Sequence, residues 1–280
     1  MLVASLASRY AHQLLDARAQ SRRIPPLSSE APLSIADGYD IAKNILDIRT
    51  AQGEVMVGRK IGFTNRTIWP KYGEKEAIAA PMWGPVYDTT VRYAVDNAGV
   101  QSLSGAQQPR IEPEVAFKLE RTPPANASVD EIADCIGWIA HAFEIVDCPF
   151  PNWKFEAADS IAAFGLHGVL IVGELRPLAP VTRRRIAAIL AAGSVSLSCS
   201  KGGNFALRAA GFGSDVLDSP VHALWHLHQV LKDQKQFPPL AAGEIISTGT
   251  WTDAYAVEPG QTWTSAFSGV LLPGLTVSFI

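Results

Sequence analysis

The run Ile111-Glu112-Pro113-Glu114-Val115-Ala116-Phe117 constrains this chain most, because it sets two carboxylates inside a stretch with the make-up of a buried strand. Carboxylates are rarely buried without a partner. A strand puts residues i and i+2 on one face, so Glu112 and Glu114 are expected to point the same way. A third acid, Glu144, sits in another apolar run, Ala142-Phe143-Glu144-Ile145-Val146. Acids so placed repel one another unless they are protonated or a cation neutralises them. With no histidine nearby except His141, the oxygen-only set suits a hard divalent ion, Mg²⁺ or Mn²⁺. Spacing alone leaves a second reading open, two rim carboxylates on a half-exposed strand, since E-x-E is a short motif with many chance matches.

At 280 residues the chain can bury a substantial core as one large domain or two modest ones. A 48% hydrophobic and 18% charged composition describes a folded protein rather than a disordered one. The formal net charge of −3 gives no electrostatic case for nucleic acid or an anionic membrane. The basic cluster Arg183-Arg184-Arg185 reads as a solvated helix start. Three cysteines, Cys135, Cys148 and Cys199, lack metal-ligand spacing and form no even disulfide framework. The longest uncharged apolar stretch, Ile161 to Gly173, is too short to span a bilayer and carries His167. With no signal-peptide pattern at the amino terminus, a cytoplasmic, reduced protein is expected, with neither nucleic-acid nor membrane partners.

Periodicity predicts an amphipathic helix from residue 2 to about 21, with Leu2, Leu6, Tyr10 and Leu14 roughly on one side. Ile24-Pro25-Pro26-Leu27 breaks it. A second helix is expected from the cap Ser34, with Asp37 three residues on, through Ile41, Ile45 and Ile48 toward Gly53. Gly58 to Thr64 reads as a short strand, and residues 65 to 80 as a loop or lid beside a pocket. Ser128-Val129-Asp130-Glu131 is a capping box for a helix carrying Ile132, Ile136 and Ile139 on one stripe, which feeds the strand of Glu144. Further helices are expected after Thr182, ending at Gly193, and from Ser219-Pro220. Short β segments follow Gly243. The organisation is a small helical region with its lid over residues 1–80, then a strand-rich α+β domain over residues 81–280.

His222 and His226 share a helix face at i and i+4, but no glutamate lies between them, so they read as surface or core histidines rather than zinc ligands. Lys60, between Gly58-Arg59 and Ile61-Gly62, is ambiguous. Facing inward it would be desolvated and usable as an acid or base; facing out it is a solvated edge lysine. No phosphate-binding glycine loop and no G-x-S-x-G elbow is present.

Taken together, these runs resemble the fumarylacetoacetate hydrolase superfamily, and within it the branch of 2-keto-4-pentenoate hydratase and 4-oxalocrotonate decarboxylase. The matching segments are Lys60-Ile61-Gly62-Phe63-Thr64, Pro109 to Phe117, Phe143-Glu144-Ile145-Val146-Asp147, Ser247-Thr248-Gly249-Thr250 and Val257-Glu258-Pro259-Gly260. They occur in the family's order and cover most of the chain from about residue 39 onward. The resemblance implies a mixed β-sheet roll or barrel with flanking helices. It further implies a divalent ion, Mg²⁺ or Mn²⁺, held by Glu112, Glu114 and Glu144. The implied substrate is a 2-keto acid or its enol, such as 2-hydroxypenta-2,4-dienoate in aromatic-compound catabolism, bound through a carboxylate oxygen and the C2 oxygen. Lys60 matches the family's acid/base lysine, Asp88 falls near its partner aspartate, and Thr250 matches a hydroxyl residue near the substrate carboxylate. A homodimer or larger assembly is likewise implied.

Hydratase is the first choice among the family's chemistries. Decarboxylase needs the same ligands. A carbon–carbon hydrolase of acylpyruvates typically carries a His/Glu pair on its lid, and residues 65–80 hold Glu74 and Glu76 but no histidine. A non-catalytic partner subunit is the remaining alternative, motivated by two departures. Cys148-Pro149-Phe150 follows Asp147 where an arginine is common, and Ala162-Ala163-Phe164 stands in place of an Ala-Asp-Asn run. Phe150, Trp153, Trp69 and Trp83 are candidates for a more apolar pocket wall.

Overall fold

The computed structural model describes residues 4–72 and 81–280. Glu74 and Glu76 of the expected lid lie outside the described residues; Arg66–Tyr72 ahead of them form a 3-10 helix. Two longer helices open the chain, α1 (Ala4–Ala19) and α2 (Ile35–Ala51). Ser34 caps α2 as expected: its hydroxyl accepts from the Asp37 N–H, and the Asp37 carboxylate accepts from the Ser34 N–H. Ile41 and Ile45 of α2 pack with Tyr10 and Leu14 of α1, while Tyr39, Ala42 and Leu46 face the main core. One helix thus joins two apolar clusters.

The remaining helices are short except the last: α3 (Val129–Cys135), α4 (Ala157–Ala162), α5 (Pro180–Arg183), α6 (Ile186–Ala192) and α7 (Pro220–Asp233). Two expectations need correction. The capping box at Ser128 is present, but α3 stops at Cys135. Ile136 and Ile139 instead extend into a strand, paired with Leu119 and Phe117. Both isoleucines are β-branched and have a facing strand to pack on, which outweighs the helical spacing. The single helix expected from Thr182 to Gly193 is two, α5 and α6, interrupted at Arg184 and Arg185.

Fourteen strands among the described residues complete the fold. The first eight are β1 (Met56–Gly62), β2 (Met82–Tyr87), β3 (Val91–Tyr93), β4 (Ala98–Gln101), β5 (Pro109–Leu119), β6 (Ile136–Asp147), β7 (His167–Val172) and β8 (Arg176–Pro177). The rest are β9 (Ser194–Ser200), β10 (Ala206–Phe212), β11 (Ile245–Ser247), β12 (Tyr255–Ala256), β13 (Thr262–Ser268) and β14 (Leu275–Phe279). A nine-stranded mixed sheet runs β2-β1-β11-β5-β6-β7-β3, with β12 on β5 and β8 on β6. A five-stranded sheet runs β10-β9-β13-β14-β4. Mixed sheets with flanking helices give the α+β architecture expected, with β1 in the interior of the large sheet.

The long pair β5–β6 organises the molecule, because its two faces do different work. Ile111, Phe143 and Ile145 point toward Leu197, Trp263, Leu275 and Val277 of the smaller sheet and form the core between the sheets. The alternate residues, Glu112, Glu114 and Glu144, point the other way. His141 shares the inter-sheet face. Its Nδ1 is 3.0 Å from the Pro273 carbonyl and its Nε2 meets Ser265 Oγ. A carbonyl only accepts, so the ring proton sits on Nδ1 and Nε2 accepts from the serine hydroxyl.

That buried neutral ring makes stability depend on pH. Burial lowers the His141 pKa from 6.5 to about 4. Between those values the unfolded chain holds more protons than the folded one. The contribution is complete above 6.5 and is lost as pH falls through 4. A shift of this size corresponds to roughly 3 kcal/mol. Urea unfolding of His141→Gln should therefore show a smaller loss of stability over that interval than the parent chain. Equal losses in the two proteins would contradict a buried neutral ring.

Candidate metal centre and active site

Strand register assembles the site. In the β5–β6 ladder Glu112 stands opposite Glu144 and Glu114 opposite Ala142. One oxygen from each of the three carboxylates lies within 4.8 Å of the others. Glu114 and Glu144 are fully buried, and Glu112 is half-buried. The expectation that the two acids of E-x-E share a face is met, and Glu144 completes a cluster with them.

Surrounding groups satisfy only part of this charge. Glu114 Oε2 accepts from Ser247 Oγ and from the Gly249 N–H at 2.8 Å. Gly249 has φ +97°, and a Cβ there would lie 1.8 Å from Thr64 Oγ1, so only glycine brings this N–H to the carboxylate. Glu144 Oε1 lies 2.9 Å from His167 Nδ1. Glu114 Oε1 is buried with no hydrogen-bond partner among the described residues, and Glu144 Oε2 accepts no hydrogen bond and has only the Lys60 ammonium beside it. Incompletely satisfied carboxylate oxygens beside a third acid are the donor set of a hard divalent cation, and the residues present fit one.

Lys60 faces the same cluster. It is 4% exposed, its ammonium donates to the Gly165 carbonyl at 2.9 Å, and it lies 3.3 Å from Glu144 Oε2. Of the two sequence-level readings, the inward-facing one holds. Burial works against its charge, but Glu144, Glu112 and Glu114 outweigh that and raise its pKa above the ordinary value. One ammonium does not neutralise three acids. Burial pushes the Glu112 carboxyl up to about 7 despite Lys60. Burial, then the charges of Glu144 and Glu112, hold Glu114 well above the carboxylate range. Burial would raise Glu144 as well, yet Lys60 and His167 hold it below its ordinary value.

A cavity opens onto this cluster, lined by Lys60, Phe63, Ile68, Glu112, Trp153 and Thr250, among others. Thr250 therefore lies at the site, with its hydroxyl donating to the Thr252 carbonyl at 3.0 Å. A wider open groove between Pro32-Leu33 and Phe155 shares Trp153 but holds none of the three acids, so the chemistry belongs to the smaller cavity. Of the aromatic residues expected at the pocket, Trp153 is a wall. Trp83 instead packs against Tyr39 and Phe237, and Phe150 lies in the α1 cluster. Trp69 donates its indole N–H to the Phe63 carbonyl.

Asp88 is not brought to Lys60. The β1–β2 register sets Lys60 opposite Gly84 and Met56 opposite Tyr87, so Asp88 lies about 13 Å further along the strand. There its exposed carboxylate accepts from the N–H groups of Val55 and Thr89. His167, fully enclosed beside Glu144, was not anticipated as part of the site. Its only signal in the sequence is a histidine inside an uncharged apolar run.

The neighbours of this arrangement among known proteins are consistent in kind. No protein-family model matches the chain. It is 26% identical over 260 residues to the 2-hydroxyhexa-2,4-dienoate hydratase of Comamonas testosteroni, covering 92% of each chain. It is 26% identical over 254 residues to a 4-oxalocrotonate decarboxylase of a Pseudomonas species, covering 90% of this chain and 91% of that one. Among solved structures, 4-oxalocrotonate decarboxylase from Pseudomonas putida G7, complexed with magnesium and adipate, superposes with a TM-score of 0.86 at 22% identity. The match covers 100% of this chain and 99% of that one. Fumarylpyruvate hydrolase from Pseudomonas aeruginosa, with Mn²⁺ and pyruvate, gives 0.55 at 14% identity over 79% of this chain and 88% of its own. The chain has the fumarylacetoacetate hydrolase-like fold. Its sequence is similar, over nearly its whole length, to the hydratase and decarboxylase branch.

A cluster of like charges should be relieved by removing one. In EDTA, Glu114→Gln is expected to melt at or above the temperature of the parent chain. A divalent ion at 100 times its dissociation constant should then stabilise the parent by about 2.7 kcal/mol and the variant not at all. A variant that gains as much as the parent would remove Glu114 from the ligand set.

Proposed function

We propose that this chain is a divalent-metal-dependent hydro-lyase acting on a 2-keto acid or its dienol, with 2-hydroxypenta-2,4-dienoate as the model substrate. The observation that carries the reading is the convergence of Glu112, Glu114 and Glu144 beside a buried Lys60, at the wall of one cavity. Similarity to hydratases along almost the entire chain supports it. Glu112, Glu114 and Glu144 would hold Mg²⁺ or Mn²⁺, and Thr250 would stand near the substrate carboxylate. The bound ion supplies positive charge that favours the enolate of a 2-keto acid.

The chain's own part is proton handling and water exclusion. Lys60 and Glu112 are the only titratable side chains on the described cavity wall. Lys60 holds a proton on Nζ, since the three acids keep its pKa high. The Gly165 carbonyl fixes the direction of that amine. Lys60 is thus the acid that protonates a substrate carbon on ketonisation, and the same nitrogen, once neutral, is the base that takes a proton back from attacking water. Phe63, Ile68, Val146, Trp153 and Leu166 give the remaining wall an apolar surface that limits bulk water.

A second reading, decarboxylation of a dicarboxylic 2-keto acid, draws on one specific residue. Arg110 shares the β5 face of Glu112 and Glu114, and its guanidinium lies 4.1 Å from the centre of the Trp153 ring. It makes no ion pair with a carboxylate among the described residues. An unpaired guanidinium stacked on a cavity wall suits a second substrate carboxylate.

Three measurements test these readings. Loss of dienoate absorbance with Mg²⁺ or Mn²⁺, abolished by EDTA, is expected of the purified protein. In Lys60→Ala, kcat should fall about 10²- to 10⁴-fold while Mn²⁺ affinity is kept. Full turnover without Lys60 would rule out its acid/base role. If 4-oxalocrotonate is the better substrate, Arg110→Met should raise its KM and leave that of the dienoate unchanged.

A further inference from the structure

His167 is the first residue of β7, directly after a turn in which Phe164, Gly165 and Leu166 all have left-handed backbones, with φ of 63°, 62° and 60°. Two of the three carry side chains that disfavour that region, so this turn is held by its surroundings. Those surroundings can be named. The half-buried Arg18 of α1 donates from its guanidinium to the His167 carbonyl at 2.8 Å and to the Gly168 carbonyl at 3.3 Å, and it lies 4.6 Å above the Phe164 ring. The turn's own Gly165 carbonyl holds Lys60.

The ring of His167 is 1% exposed and spans two groups. Nδ1 lies 2.9 Å from Glu144 Oε1, and Nε2 lies 2.9 Å from Thr90 Oγ1. Thr90 is itself oriented by Tyr87, whose N–H donates to its hydroxyl at 3.1 Å and whose carbonyl lies 3.0 Å from the same oxygen. A neutral imidazole has a single N–H. Placing it on Nδ1 gives Glu144 a donor, and Nε2 then accepts the single threonine hydroxyl proton in competition with the Tyr87 carbonyl, 3.0 Å from the same oxygen. Glu144 Oε1 then carries the hydrogen bond from His167, and Oε2 accepts none and lies 3.3 Å from the Lys60 ammonium.

We infer that His167 is a positioning residue of the metal centre, fixing the Glu144 carboxylate so that one oxygen alone is presented to the divalent ion. The inference rests on the reading of Glu144 as a metal ligand. His167 is not among the residues that line the cavity, so its action runs through the carboxylate. The usual carboxylate–histidine–metal arrangement is inverted here: the carboxylate is the ligand and the imidazole stands behind it. Groups of this outer kind change metal affinity about 10- to 100-fold when removed.

The experiment is Mn²⁺ titration of the full chain, reading free Mn²⁺ by electron paramagnetic resonance. His167→Ala is expected to raise the Mn²⁺ dissociation constant about 10- to 100-fold. At saturating Mn²⁺ its kcat should stay within several-fold of the parent. His167→Asn, whose side-chain N–H can stand where Nδ1–H stood, should restore most of the affinity. Thr90→Val, which frees the ring from its anchor, should weaken Mn²⁺ binding by a smaller factor and serves if His167→Ala does not fold. Glu114→Gln separates the two levels of the argument. If it binds Mn²⁺ like the parent, the three-glutamate reading itself fails. If it loses Mn²⁺ while His167→Ala and Thr90→Val bind as the parent does, the positioning role is overturned.

Discussion

Charge at the centre of the large sheet is the constraint on which the other features bear. Two unit charges about 4.8 Å apart at an effective dielectric near 20 interact by roughly 3–4 kcal/mol, and three carboxylates make three such repulsions. The attraction of one lysine at 3.3 Å is roughly 5 kcal/mol on the same scale. Lys60 therefore offsets only part of the repulsion, which is why burial and mutual repulsion push Glu112 and Glu114 upward while Glu144, beside the amine, goes the other way. A divalent cation would supply the missing charge without any change of backbone. The protein invests packing in keeping the acids together, an arrangement that stability alone would not favour.

The packing shows how this is done. β5 and β6 are held from behind by the inter-sheet core, where Ile111, Phe143 and Ile145 meet Trp263 and Val277. Moving either strand by one residue would turn the glutamates into that core, so the hydrophobic face fixes the register of the acidic one. On the acidic side, the Gly249 amide and Ser247 fix Glu114, and the left-handed turn at Phe164–Leu166 fixes both Lys60 and the start of β7. Helix α1 reaches this turn through Arg18. A surface helix is thereby part of the support of a centre several elements away, which gives the small helical region a role beyond covering apolar strands.

What could be read from the sequence follows the period of two. Glu112 and Glu114 share a face because any strand would place them so, and Lys60 points inward because its alternates Arg59 and Ile61 pack on the other side. Ser34 and Ser128 mark helix starts through local bonds that depend only on residues three apart. Long-range register was not legible in the same way. Asp88 falls near the family's partner aspartate in sequence, yet whether it meets Lys60 depends on how β2 pairs with β1, and that pairing leaves it several residues away. Ile136 and Ile139 carry helical spacing but have β5 beside them, and the partner strand decides. His167 had no pattern to announce it, because its partners Glu144 and Thr90 lie 23 and 77 residues away.

The absence of Asp88 from the centre bears on the chemistry. With Gly84 opposite Lys60 and Met82 opposite Gly62, β2 brings no acid to the amine. Hydration of a dienol delivers two protons to carbon and removes one from the enol hydroxyl and one from water, and deliveries and removals need not be simultaneous. A single amine can do both in turn if its charged and neutral forms are both reachable. That condition is set by the carboxylates around it: three bare acids hold Lys60 charged, and each one engaged by a cation weakens that hold. Under the proposed function, the same acids that would bind the ion would therefore tune Lys60 as the base, and the two functions would share one electrostatic balance. A second carboxylate partner for Lys60 would shift that balance back toward a permanently charged amine. The Gly165 carbonyl, which directs Lys60 without adding a full charge, is compatible with the proposed role, in which the amine gives up its proton and recovers it.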